Sequence, residues 1–226
     1  MEWWIKISNL TRRERETLQR RNEILNAAEK RFFESSYDDV SMDDIAGDLE
    51  LSKTALYYHF KNKASLYFAV VTKGVVILRD KFKQAVKSGT KGLEKIIGIV
   101  HAFSDYIQHY SDYYRLNLSV RVPRFMEMLQ NYEDGVPEIE NTEEYVGLKK
   151  ELLDIITDAI SLGIKDGTLR KDLEPIQTVM FLGSAIEDIV YLSPVNKLLL
   201  EMSGATVEGY LQHSINLLLQ GITGKK

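Results

Sequence analysis

A chain of 226 residues, 44% hydrophobic and 27% charged, has enough apolar material for one good core and a smaller satellite domain. The absence of cysteine excludes disulfides, thiolate metal sites and cysteine nucleophiles. The net charge of −4 is not that of a uniformly basic nucleic-acid binder, but the charge is laid down in blocks. Arg12, Arg13, Arg15, Arg20 and Arg21 stand near the start. The acids Asp38, Asp39, Asp43, Asp44, Asp48 and Glu50 then follow with no base among them, and Lys53, Lys61 and Lys63 follow with no acid among them. A local positive face is compatible with this net-acidic chain.

The pattern is helical almost throughout, because strand-like alternation never persists and only 4 prolines interrupt it. The expected class is all-α. Residues 1–16 read as a polar, basic arm, with no apolar core long enough for a signal peptide in Met1-Glu2-Trp3-Trp4-Ile5-Lys6. No later apolar run reaches membrane-spanning length, so a cytoplasmic protein is expected. A first helix over about 17–35 carries the apolar stripe Ile24, Leu25, Ala28, Phe32 and Phe33. Ser41 caps a short second helix, with Asp43 and Asp44 in its first turn and Met42, Ile45, Ala46 and Leu49 on its buried face. Ser52 caps a third helix to about residue 59, and Asn62 a long fourth one to about residue 87. Further helices are expected at about 93–110, 143–164, 175–192 and 207–219, with an acidic loop over 133–138. A first domain over 17–63 and a second over 64–226 follow, the fourth helix serving as the connection.

Residues 41–63 carry the strongest functional signal. Ala46 is small where two helices would cross, and Ile45, Leu49, Leu51, Leu56 and Phe60 fix that crossing. With Leu56 and Phe60 turned inward, Lys53, Thr54, Tyr57 and Tyr58 fall on the outer side of the second helix. This is the arrangement of a helix-turn-helix that enters the major groove of double-stranded DNA. Lys53 and Thr54, at the N-terminal end, suit base readout: an ammonium for guanine acceptors, a hydroxyl or methyl for thymine. Tyr57, Tyr58, His59, Lys61 and Lys63 suit phosphate contacts, and the amides around Ser41 and Ser52 can serve the same strands.

Residues 37–66 resemble the DNA-binding segment of the TetR (tetracycline-repressor-like) family. The resemblance rests on Ile45-Ala46, Leu51-Ser52-Lys53, Leu56-Tyr57-Tyr58-His59-Phe60 and Lys63. The stretch Gly163…Asp166-Gly167-Thr168-Leu169-Arg170…Asp172 is similar to a looser motif late in such chains. Family members usually have glycine where this chain has Ser36, Glu50 and Thr54. A left-handed Glu50 would cost roughly 1–2 kcal/mol, which makes a remodelled turn the alternative.

The resemblance implies a ligand-responsive repressor without catalysis, metal or cofactor. It would bind a palindromic operator as a homodimer, and its larger helical domain would hold a small effector. The last two long helices would build the dimer interface, with Val179, Gly183, Ile186, Tyr210, Leu211 and Leu218 as its candidates; an intramolecular core explains that stripe equally well. Phe103, Tyr106, Tyr110, Phe125 and Met128 are candidates for lining a pocket for an apolar or aromatic effector, against simple core packing.

Two other function classes compete. Asp38, Asp39, Asp43 and Asp44 would have to gather around one point to serve a magnesium-dependent, all-helical enzyme. His101, Asp105 and His109 share one helix face at four-residue steps, a spacing open to metal or ligand but commonest among ordinary polar residues. A helical adaptor that binds protein through the same helix pair is the third reading.

Overall fold

Thr11 opens the first helix, α1 (Arg12–Glu34), with a capping box: its hydroxyl accepts the Glu14 N–H, and the Glu14 carboxylate accepts the Thr11 N–H. The helix therefore starts earlier than its apolar stripe suggests, and the tail of the expected arm is helical from Arg12. In this computed structural model residues 11–121, 125, 127, 140 and 142–224 are described, so Trp3, Trp4 and Met128 lie outside the described residues. The remaining helices are α2 (Met42–Asp48), α3 (Lys53–His59), α4 (Lys63–Ser88), α5 (Gly92–His109), α6 (Ser111–Ser119), α7 (Thr142–Asp166), α8 (Pro175–Val190), α9 (Pro194–Met202) and α10 (Val207–Thr223). The all-α class holds among the described residues. No single helix there is long and apolar enough to cross a membrane. Helix α9 was not expected; Ser193 caps it by accepting the Asn196 N–H, and Pro194 sits at its first turn.

The chain forms two compact units, one from residues 1–77 and 110–149, the other from 78–109 and 150–226. In the first, Ile24, Ala28 and Phe32 recur every four residues along α1 and are completely buried. Phe32 and Tyr37 both meet the Tyr67 ring edge-on at 5.0 Å, and Phe125 stacks on Tyr67 at 5.1 Å. Phe125, a candidate pocket residue by sequence, is thus enclosed by rings and is part of the core. The Tyr67 hydroxyl donates to the Leu116 carbonyl at 3.1 Å, which satisfies its one polar atom inside the cluster. Arg115 Nη2 donates to the carbonyls of Phe32 and Phe33, closing the C-terminal end of α1 with a cation.

The second unit ties the head of α5 to the tail of α7. Gly92 N–H donates to Asp166 Oδ2 at 2.7 Å, and Asp166 Oδ1 accepts the Thr168 hydroxyl at 2.6 Å. Gly167 turns the chain with φ +76°, and the Leu169 N–H donates to the Gly163 carbonyl at 2.9 Å. This explains the Gly163…Asp172 motif as a helix stop that also receives a second helix. The Thr168 hydroxyl, and then the Gly92 amide, hold the Asp166 carboxyl below its ordinary pKa. A depressed carboxylate lends stability above its unfolded pKa of about 4 and loses it as pH falls through the folded value. Asp166→Asn is therefore expected to flatten the fall in thermal midpoint below about pH 4. An unchanged acid limb in the variant would remove Asp166 from that account.

Elsewhere in this unit, Phe103 packs edge-on against Phe82 at 6.3 Å, and Tyr106 is buried. Ile186 and Leu218, expected at a dimer interface, instead line an aliphatic cavity of about 20 Å³ with Ile96, Val100, Leu182, Ile215, Leu219 and Ile222. Val179 is buried as well. The inward stripe of α8 is intramolecular core, because Val179, Leu182 and Ile186 recur at i, i+3 and i+7. The opposite face of α8 leaves Ile176, Met180 and Phe181 exposed, with Leu217 exposed on α10. Gly183 lies on that outer side, where an added Cβ would meet open space.

Candidate nucleic-acid interface

Helix α2 begins at Ser41, whose Oγ accepts the Asp44 N–H at 3.1 Å while its own N–H donates to Asp44 Oδ2 at 2.9 Å. Both polar groups of Ser41 are engaged by the cap, which leaves the amides that follow it as the groups this helix start can offer. Met42, Ile45 and Ala46 are buried, and the small Ala46 lies on the packed face as its size suggested. A bidentate ion pair fastens α2 to α1: Arg31 Nε and Nη2 donate to the two Asp48 oxygens at 2.7 and 2.6 Å.

The turn keeps its tight form. Leu51 N–H donates to the Ala46 carbonyl at 2.9 Å, and Glu50 takes φ 53°, the one positive value at a non-glycine position among the described residues. The left-handed conformation is real, and the turn is not remodelled around the missing glycine. Glu50→Gly is expected to raise stability by about 1 kcal/mol, since the left-handed penalty of roughly 1–2 kcal/mol exceeds most of the entropy glycine adds to the unfolded chain. Equilibrium denaturation is the check, and a variant no more stable than the parent would mean the strain is absorbed elsewhere. Ser36 needs no such conformation; its hydroxyl donates to Asp39 Oδ2 at 2.6 Å.

Helix α3 is capped by Ser52, whose Oγ accepts the Ala55 N–H at 3.2 Å. Leu56 and Phe60 are fully buried, four residues apart. That rotation leaves Lys53 and Thr54 exposed, with Tyr57 at 43% and Tyr58 at 73% exposure, and Lys61 exposed beyond the helix. The structure thus brings four of the sequence-selected residues onto one outward row. Lys53 Nζ is held at 2.7 Å by Asp43 Oδ2, a carboxylate from the first turn of α2 that sequence reading did not link to it. Their hydrogen bond, the largest influence, raises the Lys53 pKa and keeps it protonated.

Two cationic candidates differ from expectation. Lys63 turns inward: its Nζ donates to the carbonyls of Tyr37 and Val40, both at 2.8 Å, and lies 4.3 Å from the Tyr37 ring centroid. Those carbonyls belong to the loop between α1 and α2, so Lys63 fastens that loop to the head of α4 in place of an outward phosphate contact. His59 is half-buried, and burial first, then Arg21 and Arg20, push its pKa below the ordinary imidazole value. Near neutral pH it is an uncharged donor or acceptor.

The acids of the competing metal reading do not converge. Asp39 serves Ser36, Asp43 serves Lys53, and Asp44 serves Ser41. Asp105 takes Lys81 at 2.5 Å and His109 at 3.0 Å. Among the described residues no three His, Asp or Glu side chains are grouped to hold a metal ion.

Comparison with known proteins agrees with this geometry. Residues 24–70 match the family described as bacterial regulatory proteins, tetR family. The HTH-type transcriptional activator FasR of Mycolicibacterium smegmatis is 38% identical over 98 residues, 43% of this chain and 45% of that protein. The chain thus spans under half the length of that relative. The HTH-type transcriptional repressor KstR2 of the same organism is 25% identical over 155 residues, covering 69% of this chain and 70% of that one. Among solved structures, the ketosteroid transcriptional regulator KstR2 of Mycobacterium tuberculosis superposes with a TM-score of 0.62 at 20% identity, covering 92% of this chain and 96% of that one. A putative regulator from Saccharomonospora viridis, in complex with choline, gives 0.67 at 18% identity, over 92% and 99% of the two chains. These last two likenesses concern the fold. The helix-turn-helix lies within residues 24–70, the part of the chain that matches the tetR family of bacterial regulatory proteins, and the two Mycolicibacterium smegmatis relatives are HTH-type transcriptional regulators.

Proposed function

We propose that the chain is a ligand-responsive transcriptional repressor that binds a palindromic operator as a homodimer in the cytoplasm. The observation that carries the DNA reading is the outward row Lys53, Thr54, Tyr57 and Tyr58 on a helix anchored by the buried Leu56 and Phe60. Lys53 donates to guanine acceptors after exchanging Asp43 for the base edge, and Thr54 reads the neighbouring position. Tyr57, Tyr58, Lys61 and the amides that follow Ser52 contact phosphates, with His59 as a neutral partner. Two copies present their α3 helices to half-sites roughly 34–36 Å apart or a multiple of that.

The homodimer reading rests on the outer face of α8 with α10, where Ile176, Met180, Phe181 and Leu217 are exposed around Gly183. Tyr210 and Leu211 are half-buried on α10 and are the further candidates for this interface. Repression is favoured because the relative named a repressor aligns over more of the chain than the one named an activator. The effector is a small apolar or aromatic molecule met by Phe103 and Tyr106 in the second unit. The choline complex of the Saccharomonospora viridis regulator supports a small-molecule effector in a fold of this type.

Selection from random duplex DNA tests the proposal. A palindrome should emerge, and Lys53→Ala should relax base preference at one position per half-site at a cost of about 1–3 kcal/mol. Weak binding that is blind to sequence would overturn it.

A further inference from the structure

The C-terminal end of α3 is held from outside the helix-turn-helix. Arg21, on α1, donates through Nη1 to the His59 carbonyl, and its Cζ lies 3.9 Å from the Phe60 ring centroid. A cation here serves the unpaired last-turn carbonyls and the negative end of the helix dipole. Its other terminal nitrogen, Nη2, stands 3.8 Å from Glu140 Oε2, each side chain being 32% exposed. Glu140 is fixed in turn by its backbone: its N–H donates to the buried Ser65 Oγ at 3.1 Å, and the Ser65 N–H donates to Asn62 Oδ1 at 2.7 Å. The Glu140 Oε2 atom is buried and has no hydrogen bond among the described residues. The guanidinium charge is what offsets its lost hydration.

We propose that Glu140 is a positioning residue for DNA recognition, setting through Arg21 how the C-terminal end of α3 is held; this rests on the DNA reading above. At 3.8 Å the pair is Coulombic and short of a hydrogen bond, so a small shift of Glu140 either tightens it or releases it. Helix α7 starts two residues later, at Thr142. Movement of the head of α7 is thereby passed to the His59 carbonyl by a single guanidinium. Arg21 has two other holds on α3, so loss of Glu140 loosens the helix end and does not unfold it.

The test uses the full chain with Glu140→Gln and, as the conservative control, Glu140→Asp. Hydrogen exchange without DNA is expected to quicken over residues 53–60 by about two- to fivefold in Glu140→Gln, with α1 amides unchanged. Affinity for the selected duplex should fall by about the same factor while that for random duplex holds, and Glu140→Asp should retain most of both. Unchanged exchange over 53–60 would overturn the proposal. So would loss of protection spread evenly over residues 12–88 with a lower thermal midpoint, the mark of a merely structural residue. Failure to select any preferred duplex would count against the DNA reading instead, and the exchange measurement would still decide the role of Glu140.

Discussion

Replacing Met180 and Phe181 together by glutamate is expected to leave the chain monomeric and to lower operator affinity by about 10²–10⁴-fold. Both side chains lie on the outer face of α8, at 60% and 63% exposure, beside Ile176 and Leu217 at 52% and 55%. The residues that hold α8 to its own unit, Thr178, Val179 and Leu182, are buried and untouched by the change. The helix should keep its place while its outer face becomes acidic, and two like-charged faces do not associate. The large effect on DNA has a separate origin. Once one helix-turn-helix is bound, the second of a pair is delivered to its half-site at high effective concentration, and a monomer loses that gain without losing any contact to DNA. Light scattering reads the mass, and circular dichroism confirms that the variant is folded. A parent chain that already runs as a single copy, or a variant that still pairs, would send the interface elsewhere.

Gly92→Ala is expected to lower the thermal midpoint by about 10 °C or more, or to prevent folding. A Cβ at this position would stand 2.1 Å from the Gly163 amide nitrogen and 2.2 Å from its Cα. Both are backbone atoms, so no side chain can swing aside. The head of α5 would have to lift off α7, and the Gly92 N–H bond to Asp166 would go with it. Overpacking costs about 1–3 kcal/mol where side chains can give way, and loss of a hydrogen bond to a charged group about 1.5–3 more. Gly147→Ala is the control, because Gly147 is exposed on α7 and an added Cβ there meets nothing within 4 Å. Equal thermal midpoints for the Gly92 variant and its parent would show that the two backbones do not meet this closely.

Much of the candidate interface was legible before any coordinates. The outward row on α3 follows from two buried residues four apart, and a seven-residue helix leaves little freedom once Leu56 and Phe60 are inside. Ser41 and Ser52 were recognised as caps because capping is a local hydrogen bond between residues three apart. A serine side chain that completes a capping box has no group left over, so only the amides of that helix start stay open to a ligand. The start of α1 was missed although its signal was present, since Thr11-x-x-Glu14 is a capping box that lies ahead of the apolar stripe. Helix α9 was missed for a different reason. Val195, Leu198, Leu199 and Met202 have helical spacing but are exposed, and the helix has no buried residue.

The sequence by itself determined most of the helical segments, where most of them begin, and which face of α3 looks outward. Periodicity and capping are encoded within a few residues, and so are open to one-dimensional reading. Tertiary structure decided the partners of the long-reaching charges around the helix-turn-helix. Lys63 turns to the loop carbonyls of Tyr37 and Val40, Lys53 finds Asp43, and Arg21 stands between His59 and Glu140. It also decided which side of α8 is core, moving Val179, Ile186 and Leu218 inward and leaving Met180 and Phe181 out. A lysine or arginine stem several bonds long can reach any acceptor the fold brings near, and α8, with apolar residues on opposite sides, has no broad polar face to orient it. In both cases the choice is made by what packs alongside.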